Sequence, residues 1–183
     1  MWWWPLAAMA FILLADSYFE PLRRRPAILA VLDEPEHVIT SLLLLGLVVN
    51  LVAFRRYWLA VALPAFLIDI DHVPQLFHQL FLTSGTGRPY THSLSTVVLV
   101  LLVTLMLPAA VRGFGWAVAF GLATHFLRDL FSGPISLLWP ITRRSFEAPY
   151  WLYLMLMLVT VVALCIKWRT ARWSRTLPYS DVD

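Results

Sequence analysis

Apolar residues in this chain gather into six long runs, and short polar islands mark where those runs begin or end. The runs cover roughly 2–19, 38–54, 57–70, 93–111, 114–131 and 149–166. The second, fourth and sixth are 17 to 19 residues of near-continuous apolar sequence, close to the ~20 residues an α-helix needs to cross a bilayer. The first is shorter at its apolar core. No basic residue precedes it, which argues against a cleaved signal peptide. Polar islands interrupt the third and fifth, and apolar sequence resumes beyond them at Val73 to Leu82 and Ile135 to Trp139. Pro74 and Pro134 follow those islands, and the residue before a proline disfavours helix. The pattern predicts an all-α, polytopic integral membrane bundle with about five to six membrane segments. Its third and fifth helices would break, or turn back into the membrane, just after their polar residues. A single membrane-embedded domain is expected over 1–175, with a short polar tail at 176–183.

Composition strengthens the membrane reading. The chain is 60% hydrophobic and 14% charged, with a mean hydropathy of +0.74, against about 25% charged in an ordinary soluble domain. Trp2 to Trp4, Trp58, Trp116, Trp151, Trp168 and Trp173 lie near the ends of apolar runs, as an interfacial aromatic belt would. A net charge of +3 is ordinary for a membrane protein with basic loops and points to no nucleic-acid partner. Cys165 lies inside an apolar run, so it implies neither a disulfide framework nor a redox role.

The islands carry the chemistry. They read Glu36-His37, Asp69-Ile70-Asp71-His72, Thr91-His92-Ser93 and His125-Phe126-Leu127-Arg128-Asp129. Ionisable groups beside hydrocarbon-spanning sequence are costly and mark function by default. Following six crossings up and down, His37 opens the second helix, Asp69 to His72 end the third, His92 opens the fourth, and His125 to Asp129 lie near the end of the fifth. All four islands then fall on one side of the membrane. His125 and Asp129 share a helix face, as do Asp69 and His72, while Asp71 points elsewhere if the helix continues. Imidazole and carboxylate together form the usual nitrogen and oxygen ligand set of a catalytic divalent metal. The candidate ligands are His37, Asp69, Asp71, His72, His92, His125 and Asp129. They exceed the four positions of one zinc, so either two ions are bound or some of these groups orient the others. Without cysteine among them the metal is expected to be zinc, with manganese or iron as alternatives. Asp33 is expected to cap the helix that begins near Pro35, and His78 to be a polar loop residue. Arg88 would either hold an anionic substrate group or snorkel to the headgroups.

The order and spacing of the islands resemble the YdjM-type membrane-bound metal-dependent hydrolases, a group distantly similar to zinc-dependent phospholipase C. The likeness runs from about His37 to Pro140. It rests on His37, on Leu67-Ile68-Asp69-Ile70-Asp71-His72, on Arg88-Pro89-Tyr90-Thr91-His92-Ser93, and on His125 to Asp129 with Gly133 and Leu137-Leu138-Trp139-Pro140. Gly87, Pro89 and Ser132 stand where the family often carries histidine, glycine and threonine. The resemblance implies hydrolysis at the inner membrane, with Asp71 and Arg88 as candidate catalytic residues beside the metal ligands. A metal-activated water would attack an ester or phosphoryl centre of a lipid-like or amphiphilic substrate. A metal-stabilised scaffold and a metal or proton transporter are the alternatives from other classes. Polar groups strung across the bilayer, which transport needs, are few away from the islands: Asn50, Thr96, Thr104 and Thr160 are the main ones in the long runs. Basic residues leave the orientation open, with Arg23 to Arg25, Arg88, Arg143 and Arg144 on the ligand side against Arg55, Arg56, Arg112, Lys167, Arg169, Arg172 and Arg175 opposite. Membrane lipids are the expected surroundings, and the sequence sets no oligomeric state.

Overall fold

Proline and asparagine set the first helix boundaries, and they fall elsewhere than the apolar runs suggest. The computed structural model describes residues 3–22, 26–76, 83 and 88–173. Among these the chain is all-helical, with α1 Trp4–Leu22, α2 Pro26–Val48, α3 Leu51–Leu67, α4 Val73–Leu76, α5 Leu94–Met106, α6 Ala109–Ser132 and α7 Tyr150–Trp173. A 3₁₀ segment, Ile68–His72, joins α3 to α4. Two isolated antiparallel bridges, Thr83 with Pro89 and Ile135 with Phe146, add to the helices. His78, Gly87 and the polar tail at 176–183 lie outside the described residues.

Helix α2 begins at Pro26, a first-turn position where the missing N–H costs nothing, and so starts well before residue 38. Asp33, Pro35, Glu36 and His37 are inside it. Asp33 therefore caps no helix, and His37 lies mid-helix. The second apolar run also contains a break. Asn50 is the N-cap of α3, its side-chain oxygen accepting from the Ala53 N–H at 2.9 Å, which satisfies one of the orphan donors at a helix start. At the same junction the Lys167 ammonium, from α7, donates to the carbonyls of Gly46, Leu47 and Val49 at 2.7–2.9 Å. A cation on the last carbonyls is the favourable sign for a helix C-terminus.

Helix α6 is the hub, packed against α2, α3, α5 and α7. Its small residues permit that closeness. A Cβ at Gly121 would collide with the backbone carbonyl of Val61 on α3, and one at Gly115 with Thr104 on α5. Ile12, Leu43, Tyr153, Met157 and Leu164 fill the interior between α1, α2 and α7. Leu122, Phe126 and Ile135 fill that below α5 and α6. Buried hydroxyl pairs tie helices together, Thr40 to Tyr153 and Thr124 to Ser41, each at 2.7 Å.

The outer surface is apolar. Among the described residues the helical stretches Leu51–His72 and Tyr150–Ala171 are long and apolar enough to cross a membrane, while Trp4–Ser17 and Leu94–Met106 are shorter apolar helices. Leu59, Leu63, Phe66, Met155, Val159 and Val162 point outward, and apolar patches of this kind call for a partner or a lipid phase. Beyond Gly133 the chain neither re-enters as a helix nor runs straight to α7. Residues 133–149 form an irregular loop that folds back on the bundle, the Leu137 carbonyl accepting from the Leu94 N–H at 2.8 Å and the Leu130 carbonyl from the Ala148 N–H at 2.8 Å.

Candidate metal centre

The break in the third helix has a direct chemical result. A 3₁₀ turn has three residues per turn, so side chains three apart eclipse. Asp69 and His72 meet in this way, Oδ1 to Nδ1 at 3.2 Å, and Asp71 Oδ1 comes within 3.1 Å of the same nitrogen. The tighter turn thus brings Asp71 to the cluster, where a continuing α-helix would have turned it away. The Thr91 hydroxyl donates to Asp71 Oδ2, while Asp71 Oδ1 has no hydrogen-bond partner. His92, in the loop before α5, reaches Asp69 Oδ1 with Nε2 at 2.8 Å and Asp71 Oδ2 with Nδ1 at 3.4 Å. Ser93, at the start of α5, makes no side-chain cap and instead donates its hydroxyl to the Tyr90 carbonyl at 2.9 Å, holding that loop.

From the other side come α2 and α6. His125 and Asp129 are one turn apart on α6, with Nε2 and Oδ2 3.4 Å from each other. His37 of α2 stacks its ring on that of His125, centroids 3.8 Å apart, and its Nε2 lies 3.7 Å from Asp129 Oδ1. The ligand atoms fall into two groups, Asp69 with Asp71, His72 and His92, and His37 with His125 and Asp129, each within 4.8 Å throughout. The groups touch. His125 Nε2 is 3.5 Å from Asp69 Oδ1, and His92 Nε2 is 3.7 Å from Asp129 Oδ2. All the candidate ligands predicted from the sequence are therefore in one place.

The donor set fits a divalent cation. His37 and His125 are fully buried, and His92 and Asp129 are 1% exposed, yet both nitrogens of His37, His125 Nε2 and Asp129 Oδ2 have no hydrogen-bond partner. Buried polar atoms left unpaired cost about 1–3 kcal/mol each, so a cluster of them pointing inward on one another is strained without a cation to share. His125 adds a second sign. Its Nδ1 lies 2.7 Å from the carbonyl oxygen of Ala65, which can only accept, so Nδ1 carries a proton and Nε2 is the nitrogen that faces the cluster. Metal-ligating histidines are oriented by this kind of bond. At His92, burial disfavours the charged imidazole, but the carboxylates of Asp69 and Asp71 beside it outweigh that and raise the pKa.

Arg88 does not snorkel. One guanidinium nitrogen contacts Asp129 Oδ1 and the other donates to Ser132 Oγ at 3.0 Å, so it closes the cluster from the loop side.

Several groups escaped the sequence reading. Glu34 interacts with the Asp69 carboxylate, a pairing two carboxyls can hold closely only by sharing a proton or a cation. Asp33 Oδ2 stands 3.6 Å from His37 Nε2. Arg128, 3% exposed, reaches Glu36 at 2.5 Å, Asp16 at 3.5 Å and Asp33 at 3.7 Å and lies over the Tyr153 ring at 4.8 Å. The available signal was the four-residue spacing of Asp33 and His37, visible once α2 is extended to Pro26. An arginine within an apolar helix also needed a carboxylate partner.

Neither the curated proteins nor the solved structures include a significant match to this chain. A family model does match it, over residues 32–179, which takes in every residue of the cluster and both helices able to cross a membrane. On that match, and in agreement with the islands that first suggested it, the chain belongs to the YdjM inner membrane protein family.

Proposed function

We propose that this protein is a membrane-bound metal-dependent hydrolase that cleaves an ester or phosphoester bond of a lipid-like amphiphile. The observation that carries the reading is the convergence of four histidines and three aspartates from α2, the 3₁₀ segment, the α5 approach and α6, with unpaired buried nitrogen and oxygen atoms facing one another. His37, Asp69, His72, His92, His125 and Asp129 would hold one or two divalent ions, zinc being the first choice for such a donor set. When bound, the metal supplies Lewis acidity that polarises an ester or phosphoryl oxygen and lowers the pKa of water.

The chain's own residues do the rest. Asp71 keeps one oxygen without a hydrogen bond, placed to take a proton, while Thr91 fixes the other. Arg88 steadies Asp129 and brings a fixed positive charge beside the cluster, suited to an anionic headgroup or transition state. The apolar outer surface and two helices able to cross a membrane support a bilayer setting; on this reading five to six segments would lie in a prokaryotic inner membrane, with the cluster toward the headgroups, where amphiphiles lie.

The test pairs metal analysis of the purified chain with turnover of fluorogenic phospholipids and water-soluble phosphoesters. Hydrolysis that EDTA abolishes and zinc or manganese restores supports the reading. Bound metal with no turnover on any substrate favours a scaffold, metal flux into vesicles favours a transporter, and a chain that takes up no divalent metal ends the hydrolase reading.

A further inference from the structure

The inner group of ligands, His37, His125 and Asp129, offers three side chains, one short of a tetrahedral shell. Bonds of about 2.0–2.2 Å to a tetrahedral ion place neighbouring donor atoms about 3.3–3.6 Å apart. His125 Nε2 and Asp129 Oδ2 are 3.4 Å apart, and His37 Nε2 and Asp129 Oδ1 are 3.7 Å apart. Asp33, one turn before His37 on α2, stands at the edge of this group, with Oδ2 3.6 Å from His37 Nε2. Its other oxygen faces the Arg128 guanidinium at 3.7 Å, the kind of outer contact that aims a ligating carboxylate. Asp33 is also the least enclosed of these groups, its side chain 40% exposed against 0% for His37 and 1% for Asp129.

We propose that the cluster is binuclear and that Asp33 is a ligand of the inner ion, together with His37, His125 and Asp129. The outer ion then takes Asp69, His72 and His92, with Asp71 alongside. Asp69 Oδ1, 3.5 Å from His125 Nε2 and 2.8 Å from His92 Nε2, would be within reach of either ion. The inference rests on the metal-binding reading above and adds to it the number of ions and a ligand outside the islands.

Zinc alone is the probe. The full chain, in detergent micelles, is stripped with chelator, reloaded with Zn²⁺, washed and measured for zinc per chain. Two ions are expected in the wild type. Asp33→Asn keeps the side-chain size, so folding is preserved, and is expected to lose one ion or weaken it at least tenfold. His37→Ala is expected to lose the same ion, so the double variant Asp33→Asn/His37→Ala should still hold one. His72→Ala should affect the other ion, and adding Asp33→Asn to it should remove both. A wild type that binds one ion, or an Asp33→Asn variant that holds two as tightly as the wild type, overturns this inference while leaving metal binding intact. A wild type that binds none overturns the metal reading itself.

Discussion

The Nδ1–H of His125 on α6 donates to the backbone carbonyl of Ala65 on α3, at 2.7 Å. The bond links two helices and fixes the histidine's tautomer in one stroke, leaving Nε2 for the cluster. Its length depends on how closely α3 and α6 approach, and Gly121 sets that approach by lying against the Val61 carbonyl.

Gly121→Ala is therefore expected to push the two helices apart. Overpacking of this kind costs about 1–3 kcal/mol, because the neighbour is backbone and cannot step aside. Thermal unfolding in detergent should show a lower midpoint, and zinc content should fall with it as His125 loses its anchor. An unchanged midpoint and full zinc content would contradict this account of the α3–α6 contact.

Asp69→Ala and His72→Ala should each lower both metal content and turnover. The 3₁₀ turn brings the two side chains together, so either change removes a donor from the same group. Elemental analysis alongside the hydrolysis assay checks this. Full metal content with either change would remove the residue from the ligand set.

Arg88→Met should separate binding from chemistry. Arg88 touches Asp129 and Ser132 but is no ligand itself, so zinc content should persist. Turnover should drop about 10²- to 10³-fold, the range seen when one donor to a transition-state anion is removed. Loss of zinc in parallel with activity would reassign Arg88 to holding Asp129 alone.

Lys167→Met addresses the far junction. Three half-buried carbonyls at the end of α2 would lose their donor, a net loss of about 1 kcal/mol for a typical hydrogen bond and more where water cannot replace it. The unfolding midpoint should fall while zinc content in the folded protein stays whole, since Gly46 to Val49 lie two to three helical turns beyond His37. A variant as stable as the wild type would mean that water already serves those carbonyls.

Much of this protein was legible in its linear pattern. The alternation of apolar runs and polar islands predicted helices throughout, and it named seven residues that the structure brings together. These are properties of local sequence, because a polar group next to an apolar run needs a partner whatever the fold. What the pattern misplaced were boundaries. Asn50, read as part of a continuous run, caps a new helix, and Asp33, read as a cap, is inside α2. Against the acidic stretch from Asp33 to Glu36 lies Arg128, 92 residues from Glu36 in the chain, a contact no local window contains. Only the tertiary structure decided that His37 pairs with His125, that Asp71 faces His72 and His92, and that Arg88 contacts Asp129. Those relations depend on the rotation and separation of α2, α3 and α6, which are set by small residues such as Gly121 packing on a neighbouring backbone, and not by the spacing of ligands within any one helix.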